Sequence, residues 1–321
     1  MEQKSKIKIL VTGVGGPAGI NIARLLRGRD DVVVIGCDVD ATATGQCFVD
    51  EFIIAPYVRD AQAYTAWMRN MVTSRTYDIV IPTVHEELSL LATFVSELSA
   101  FVPLSGPTTL ALGADKLFSY EWMAKHLPQY APRFVLLKDW TPGWSADQTL
   151  FIKPRAGRGA RGCKTATHDE LLFLQSQDSA NDEVVVMEYL PGTEWTVDSY
   201  IGKDGKIVYL TPRERTGLAG GISIKGQTVR HSGVIDATKA LIAQLDMAGP
   251  VCIQWKADAQ GQPKFVEINP RLSGGLMISV AAGINPVTAL IEEYEELVPT
   301  EQLWEEVLSV GYLDYKVLKK N

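Results

Sequence analysis

The chain has 321 residues, 46% hydrophobic and 21% charged, with a formal net charge of −7. That length suits two or three packed lobes, and the apolar content excludes wholesale disorder. The acidic balance excludes a general binder of phosphate backbones, so no nucleic-acid partner is expected and any anion site must be local.

The four cysteines form no CxxC pair and the four histidines stand apart, which gives neither a zinc site nor a disulfide framework. The opening MEQKSKIKIL runs straight into a glycine turn without a long apolar signal region. No run of about 18 apolar residues occurs, so a cytoplasmic protein without a membrane partner is expected.

From Ile7, IKILVTGVGGPAGINIARLL reads as strand, glycine turn and amphipathic helix, and VVVIGCDVD as a second strand. A helix around AQAYTAWMRNMVTSR, a strand YDIVIPT and a helix EELSLLATFVSEL continue the alternation. Such alternation favours a parallel sheet covered by helices, in a first lobe spanning residues 1–107. The next stretch, TTLALGADKLFSYEWMAKHLPQY, is helix-rich, with Phe118, Trp122 and Leu127 as its core stripe. Strands APRFVLLKDW and TLFIKPRAGRGARGC follow in a small second lobe, residues 108–190. Residues 191–321 read as a β-rich third lobe closed by helices and an amphipathic tail.

Chemistry concentrates at VEINPRLSGG. Side chains alternate along a strand, so Glu267 and Asn269 share a face. A hairpin turn centred between Gln260 and Gly261 sets Gln254 opposite Glu267, Lys256 opposite Phe265 and Asp258 opposite Pro263. One carboxylate and two amide oxygens suit a magnesium ion that keeps positions for phosphate, with a merely wet polar face as the alternative. In FIKPRAGRGARG, Lys153 ends a strand beside Gly157, Gly159 and Gly162. Glycines admit backbone N–H groups to phosphate oxygens and the lysine adds a point charge, against the alternative of a solvated basic turn. No GxxxxGK[ST] motif is present. In MEYLPGTEWTVD, Glu188 and Leu190 suit the edge and face of an adenine, and Glu194 suits ribose hydroxyls.

These stretches, with Lys116 in GADKLFSYEWM, occur in the order and spacing of ATP-grasp enzymes, and the chain resembles the carbamoyl-phosphate-synthetase type of ATP-grasp ligase from about Ile7 to Leu297. The resemblance implies an α/β and α+β protein with a Rossmann-like pre-ATP-grasp lobe followed by a two-lobed ATP-grasp domain. It implies ATP and Mg²⁺ as cofactors, with Mn²⁺ as a substitute, and small-molecule carboxylate and amine substrates. It further implies Lys116 and Lys153 on the ATP phosphates, Glu188 and Leu190 at the adenine, Glu194 at the ribose, and Gln254, Glu267 and Asn269 on the metal. Arg271 and Lys153 would be catalytic, Arg271 facing the transferring phosphoryl group or the acyl intermediate. A homodimer is a family-level expectation. The loop departs from the family in carrying Arg158, Ala160 and Arg161 where serines are common, which suggests an extra anionic group on the substrate.

Substrate contacts are expected from Arg213 and Arg215, two forked cations on one strand face, with Gly217, Gly220 and Gly221 forming a mobile lid. Glu87, near a strand's carboxyl end, is a further candidate. Two other classes remain open: an ATP-binding regulatory subunit without catalysis, and an NAD-dependent oxidoreductase using VTGVGGPAG with Asp38.

Overall fold

The computed structural model describes residues 5–145, 149–157, 159, 161–177, 182–311 and 316–318; Arg158 and Ala160 of the arginine-glycine loop lie outside the described residues. Aliphatic runs at the start form β1 (Ile7–Thr12) and β2 (Val32–Asp38), joined through α1 (Pro17–Leu26), whose proline occupies the first turn where a missing N–H costs nothing. β3 (Glu51–Ile54), α2 (Ala61–Arg75) and β4 (Ile79–Ile81) complete a parallel sheet in the order β3-β2-β1-β4. Asp60 caps α2 by accepting from Ala63 N at 3.1 Å. The helix expected across EELSLLATFVSEL is shorter: α3 covers Glu87–Ala92, where Thr93 Oγ1 turns back to Leu90 O at 2.7 Å.

Two helices follow. α4 (Pro107–Ala114) stops at Asp115, whose carboxylate accepts from Leu117 N at 2.9 Å and opens α5 (Lys116–His126). The core stripe of α5 is Leu117, Tyr120 and Met123, leading to Leu127, and Phe118 is 39% exposed. Of the expected stripe, Leu127 is buried and Trp122 packs half-buried on the same core, while Phe118 lies outside it.

β5 (Phe134–Leu136), β6 (Thr149–Pro154), β7 (Lys164–Thr167), α6 (His168–Ser176) and β8 (Val184–Glu188) build a small antiparallel sheet ordered β5-β8-β6-β7. The break at Pro191-Gly192 moves the chain to a larger sheet. There β9 (Glu194–Ile201), β10 (Ile207–Ala219) and β11 (Ile222–Thr228) form a meander. α7 (Ser232–Ile242) leads to β12 (Gly249–Ala257) and β13 (Pro263–Asn269), then α8 (Leu276–Ala281) and α9 (Pro286–Tyr294). Past α9 the amphipathic tail turns to strand: β14 (Val307–Val310) and β15 (Lys316–Leu318) extend the sheet to β13-β12-β9-β10-β11-β14-β15. Among the described residues no helix is long and apolar enough to cross a membrane.

One face of the large sheet packs Trp195, Val197, Ile253 and Trp255 with α5 and α7 residues such as Tyr120, Met123, Val234 and Leu241. The other face packs Tyr200 and Tyr209 against Leu276 and Leu290 and reaches Ile9 and Ile22 of the first sheet. Each lobe is thus anchored to the large sheet by apolar burial.

Glu87, expected at the substrate, is instead 1% exposed. Its carboxylate accepts from the Thr12 and Tyr64 hydroxyls and from Val84 N at 3.0 Å. Burial raises its pKa above the usual carboxylate value against the pull of these donors. It ties the first sheet to α2 and reaches no cleft. Glu87→Ala should cost about 2–4 kcal/mol by leaving buried donors unpaired, and Glu87→Gln less, read as shifts in denaturation midpoint. An unshifted midpoint for the alanine variant would contradict this role.

Candidate functional site

The β12–β13 hairpin sets Gln254 opposite Glu267, as the spacing implies, but by a different route. Asp258 Oδ1 accepts from Gln260 N and Gln262 N, Asp258 N donates to Gln262 O at 2.9 Å, and Gly261 takes a φ of +80°, so the turn closes one residue earlier than expected. Near the turn Lys256 therefore faces Lys264, not Phe265, and Ala257 faces Pro263. A bulge at Val266 then restores the pairing at Glu267. The bulge also frees the Val266 carbonyl, which accepts from the Tyr120 hydroxyl at 2.8 Å and from Lys153 Nζ at 3.4 Å.

Register across β13, β12, β9 and β10 lays the polar side chains out in rows on one face. Lys256, Glu194 and Arg215 form the outermost row; Glu267, Gln254, Thr196 and Arg213 the next; Asn269, Cys252, Asp198 and Thr211 the third. Asn269 Nδ2 donates to Glu267 Oε1 at 2.9 Å.

Arg213 and Arg215 do share this face, but neither projects as a forked substrate contact. Arg213 is 2% exposed and pairs with Asp198 at 2.8 Å, while its Nη2 donates to Ser273 Oγ at 3.1 Å. Arg215 is bonded to Glu194, to Gln254 Oε1 at 2.9 Å and to the Gly221 carbonyl. It holds the ribose candidate and a metal-ligand candidate in place. The expected lid is a tight hairpin: Ala219 pairs with Ile222 and both central glycines, Gly220 and Gly221, have positive φ.

Lys153, at the end of β6, is buried and donates to the Tyr120 hydroxyl at 2.9 Å. Burial alone would lower its pKa, but the Tyr120 oxygen and the Glu267 carboxylate outweigh that and hold it above the usual lysine value. Glu267 responds in kind: burial pushes its carboxyl up, and Lys153, Lys116 and the Asn269 bond pull it below the usual range. Lys116 is pushed down, first by burial and then by Lys153, with Nζ donating to Gly157 O at 2.9 Å. Gly157 and Gly159 have positive φ and line the same wall as the lysines. Gly162 packs on Pro154 instead.

These groups line a cleft of about 320 Å³ between the two antiparallel sheets. Phe151, Met187 and Leu190 give it an apolar end beside Glu188 and Glu194, and Lys116, Lys153, Gln254 and Glu267 a charged end. Glu188 Oε1 is taken by Arg133 N at 2.8 Å. Sequence reasoning missed Cys163 and Lys256 in this wall and Tyr120 behind Lys153; only the hydroxyl of Tyr120 in an apolar helix stripe could have flagged one of them. Arg271 follows Asn269, donates to Leu272 O at 2.7 Å, and lies close enough to His85 to depress that imidazole. Among the described residues no cluster of three His, Cys, Asp or Glu could hold a metal, which follows from a donor trio containing two amides.

The dinucleotide alternative loses its turn: Asp38 Oδ2 accepts from Gly15 N at 2.7 Å, so the carboxylate occupies the N–H a pyrophosphate would need.

Asp198→Ala should strand the Arg213 guanidinium in the sheet and lower stability by about 3–5 kcal/mol, while Asp198→Leu with Arg213→Met should recover most of it. Equal losses in single and double variants by denaturant titration would show that the pair carries no buried charge.

The family model described as "ATP-grasp in the biosynthetic pathway with Ter operon" matches residues 180–315. Among curated protein sequences nothing matches. Of solved structures, N5-carboxyaminoimidazole synthetase from Staphylococcus aureus complexed with ADP superposes with a TM-score of 0.73 at 18% identity, over 95% of this chain and 82% of that one. L-amino acid ligase from Bacillus licheniformis gives 0.68 at 13%, over 94% and 76%. The biotin carboxylase domain of Hydrogenobacter thermophilus 2-oxoglutarate carboxylase gives 0.70 at 14%, over 92% and 71%. The chain thus has the fold of these ATP-grasp enzymes, and its residues 180–315 match an ATP-grasp family model.

Proposed function

We propose that the protein is an ADP-forming ligase that uses ATP to phosphorylate a small-molecule carboxylate and joins the acyl phosphate to an amine or similar nucleophile. One observation carries this reading: Lys116, Lys153, Gly157, Gly159, Gln254 and Glu267 meet in one cleft whose other end is apolar. The names of the similar structures, a synthetase, a ligase and a carboxylase, support it.

In this reading the base lies between Phe151, Met187 and Leu190, beside Glu188, and the ribose lies near Glu194. Lys116, Lys153 and the backbone of Gly157 and Gly159 hold the phosphates. Gln254, Glu267 and Asn269 form a hard oxygen set that fits Mg²⁺, or Mn²⁺ in its place, and each amide oxygen has a second lone pair to offer. Bound there, the metal would neutralise phosphate charge. Arg271 and Lys153 supply fixed positive charge where negative charge develops on the transferred group. Phosphoryl and acyl transfer then need positioning and charge more than a side-chain nucleophile, consistent with a wall of lysines, glycines and carboxamides.

The test is ADP release from MgATP against a panel of carboxylic acids, each with and without mixed amines. ADP formation should depend on one acid, and Glu267→Gln and Lys153→Ala should each lower it at least about a hundredfold. Near wild-type turnover in both variants, or nucleotide binding with no acid dependence, would overturn the ligase assignment in favour of a regulatory ATP-binding protein.

A further inference from the structure

A second, smaller pocket of about 160 Å³ lies on the far side of the glycine turn. It shares Ala156 and Gly157 with the large cleft, and its other walls are His85, Glu86 and Ser89 of the first lobe, Leu110 and Ala114 of α4, and Pro270. It therefore touches both the phosphate-loop candidate and the residue between Asn269 and Arg271.

His85 makes this pocket unusual. Its Nε2 is 3.0 Å from the Gly113 carbonyl. A carbonyl can only accept, so Nε2 carries the proton and the neutral ring presents a lone pair at Nδ1. Nδ1 is buried and has no partner among the described residues. A buried acceptor left unpaired costs on the order of 1–3 kcal/mol, a deficit that a ligand donor would remove. Burial and the nearby Arg271 favour the neutral ring, against the opposite pull of Glu267 and Glu86.

Among the described residues the lining contains a carboxylate, a hydroxyl and an imidazole acceptor, with no lysine or arginine. An anionic group here would face Glu86; an ammonium or amine finds acceptors for its N–H groups. Leu88, Leu110, Ala114 and Pro270 leave room for a short apolar substituent only. We propose that this pocket is a subsite for a small primary amine, held by His85 Nδ1, Glu86 and Ser89. The assignment rests on the ligase reading for its role, the amine being the nucleophile delivered past the glycine turn.

The test is nitrogen NMR of the full chain labelled in its four histidines, with the His85 signal assigned through His85→Gln. Propylamine is titrated to about 50 mM, enough to saturate a site of millimolar affinity, and propionate serves as the counter-probe, each with and without MgADP. Propylamine should shift the His85 Nδ1 signal saturably and propionate should not. Ser89→Trp, at an exposed position where the fold tolerates bulk, should abolish the shift while leaving any MgADP response intact. His85→Gln, whose amide can keep the bond to Gly113 O but lacks the Nδ1 lone pair, should weaken propylamine binding about tenfold, measured by calorimetry. No shift with propylamine, a shift with propionate instead, or a shift untouched by Ser89→Trp would overturn the subsite. A propylamine shift in a chain that gives no MgADP response would keep the amine pocket and overturn the ligase reading.

Discussion

The ammonium of Lys153 is the constraint on which the cleft depends. Taken out of water it would be strongly disfavoured, and it is compensated by groups from three other places in the chain: the Tyr120 hydroxyl on α5, the Val266 carbonyl at the bulge, and the Glu267 carboxylate. Those partners belong to the helix between the lobes and to an edge strand of the large sheet, whereas Lys153 ends a strand of the small one. Meeting its needs therefore brings the two sheets face to face, and the cleft lies between them. The carboxyl of Glu267 is held below its usual range by the same arrangement, which keeps it a hard anionic donor in a half-buried position.

A gradient runs along one face of the large sheet. Tyr200 and Tyr209 are sealed under α8 and α9, the Asp198–Arg213 pair is buried but charged, and the Glu194–Arg215–Gln254 group opens to the cleft. The buried pair separates core from site. Arg213 also limits what can follow the metal-ligand candidates: a Cβ on Gly275 would come within 2.9 Å of its guanidinium, so the Ser273-Gly274-Gly275 turn can lie flat on it only as glycine. The SGG after VEINPR thus has a packing cause.

Much of the site was legible because strand periodicity is short-range information. Glu267 and Asn269 two apart, Gln254 on the preceding strand, and Lys153 before a run of glycines give the same answer in sequence and in space. The Gln254–Glu267 pairing, however, comes out right through two cancelling irregularities, a tighter turn at Gly261 and the bulge at Val266, neither of which alternation reveals. The partners of Arg213 and Arg215 were hidden for a similar reason: the β9–β10 register shifts between Ile207 and Tyr209, so Asp198 and Glu194 cannot be aligned by counting from the turn. Glu87 misled because a carboxylate at a strand's end looks like a ligand group, and its donors Thr12 and Tyr64 come from elsewhere in the first lobe. The amphipathic pattern of the tail left its conformation open, and pairing of β14 with the edge at β11 makes it strand.

The central claim is that a carboxylate takes the phosphoryl group. The most direct test uses the acid that supports ADP formation, labelled with ¹⁸O in its carboxylate. If the carboxylate attacks phosphorus and the amine then attacks the acyl carbon, the bridging oxygen leaves with phosphate, and each phosphate released during coupling carries one labelled oxygen. Unlabelled phosphate formed alongside ADP would mean that water or another group took the phosphoryl group, and would contradict the account.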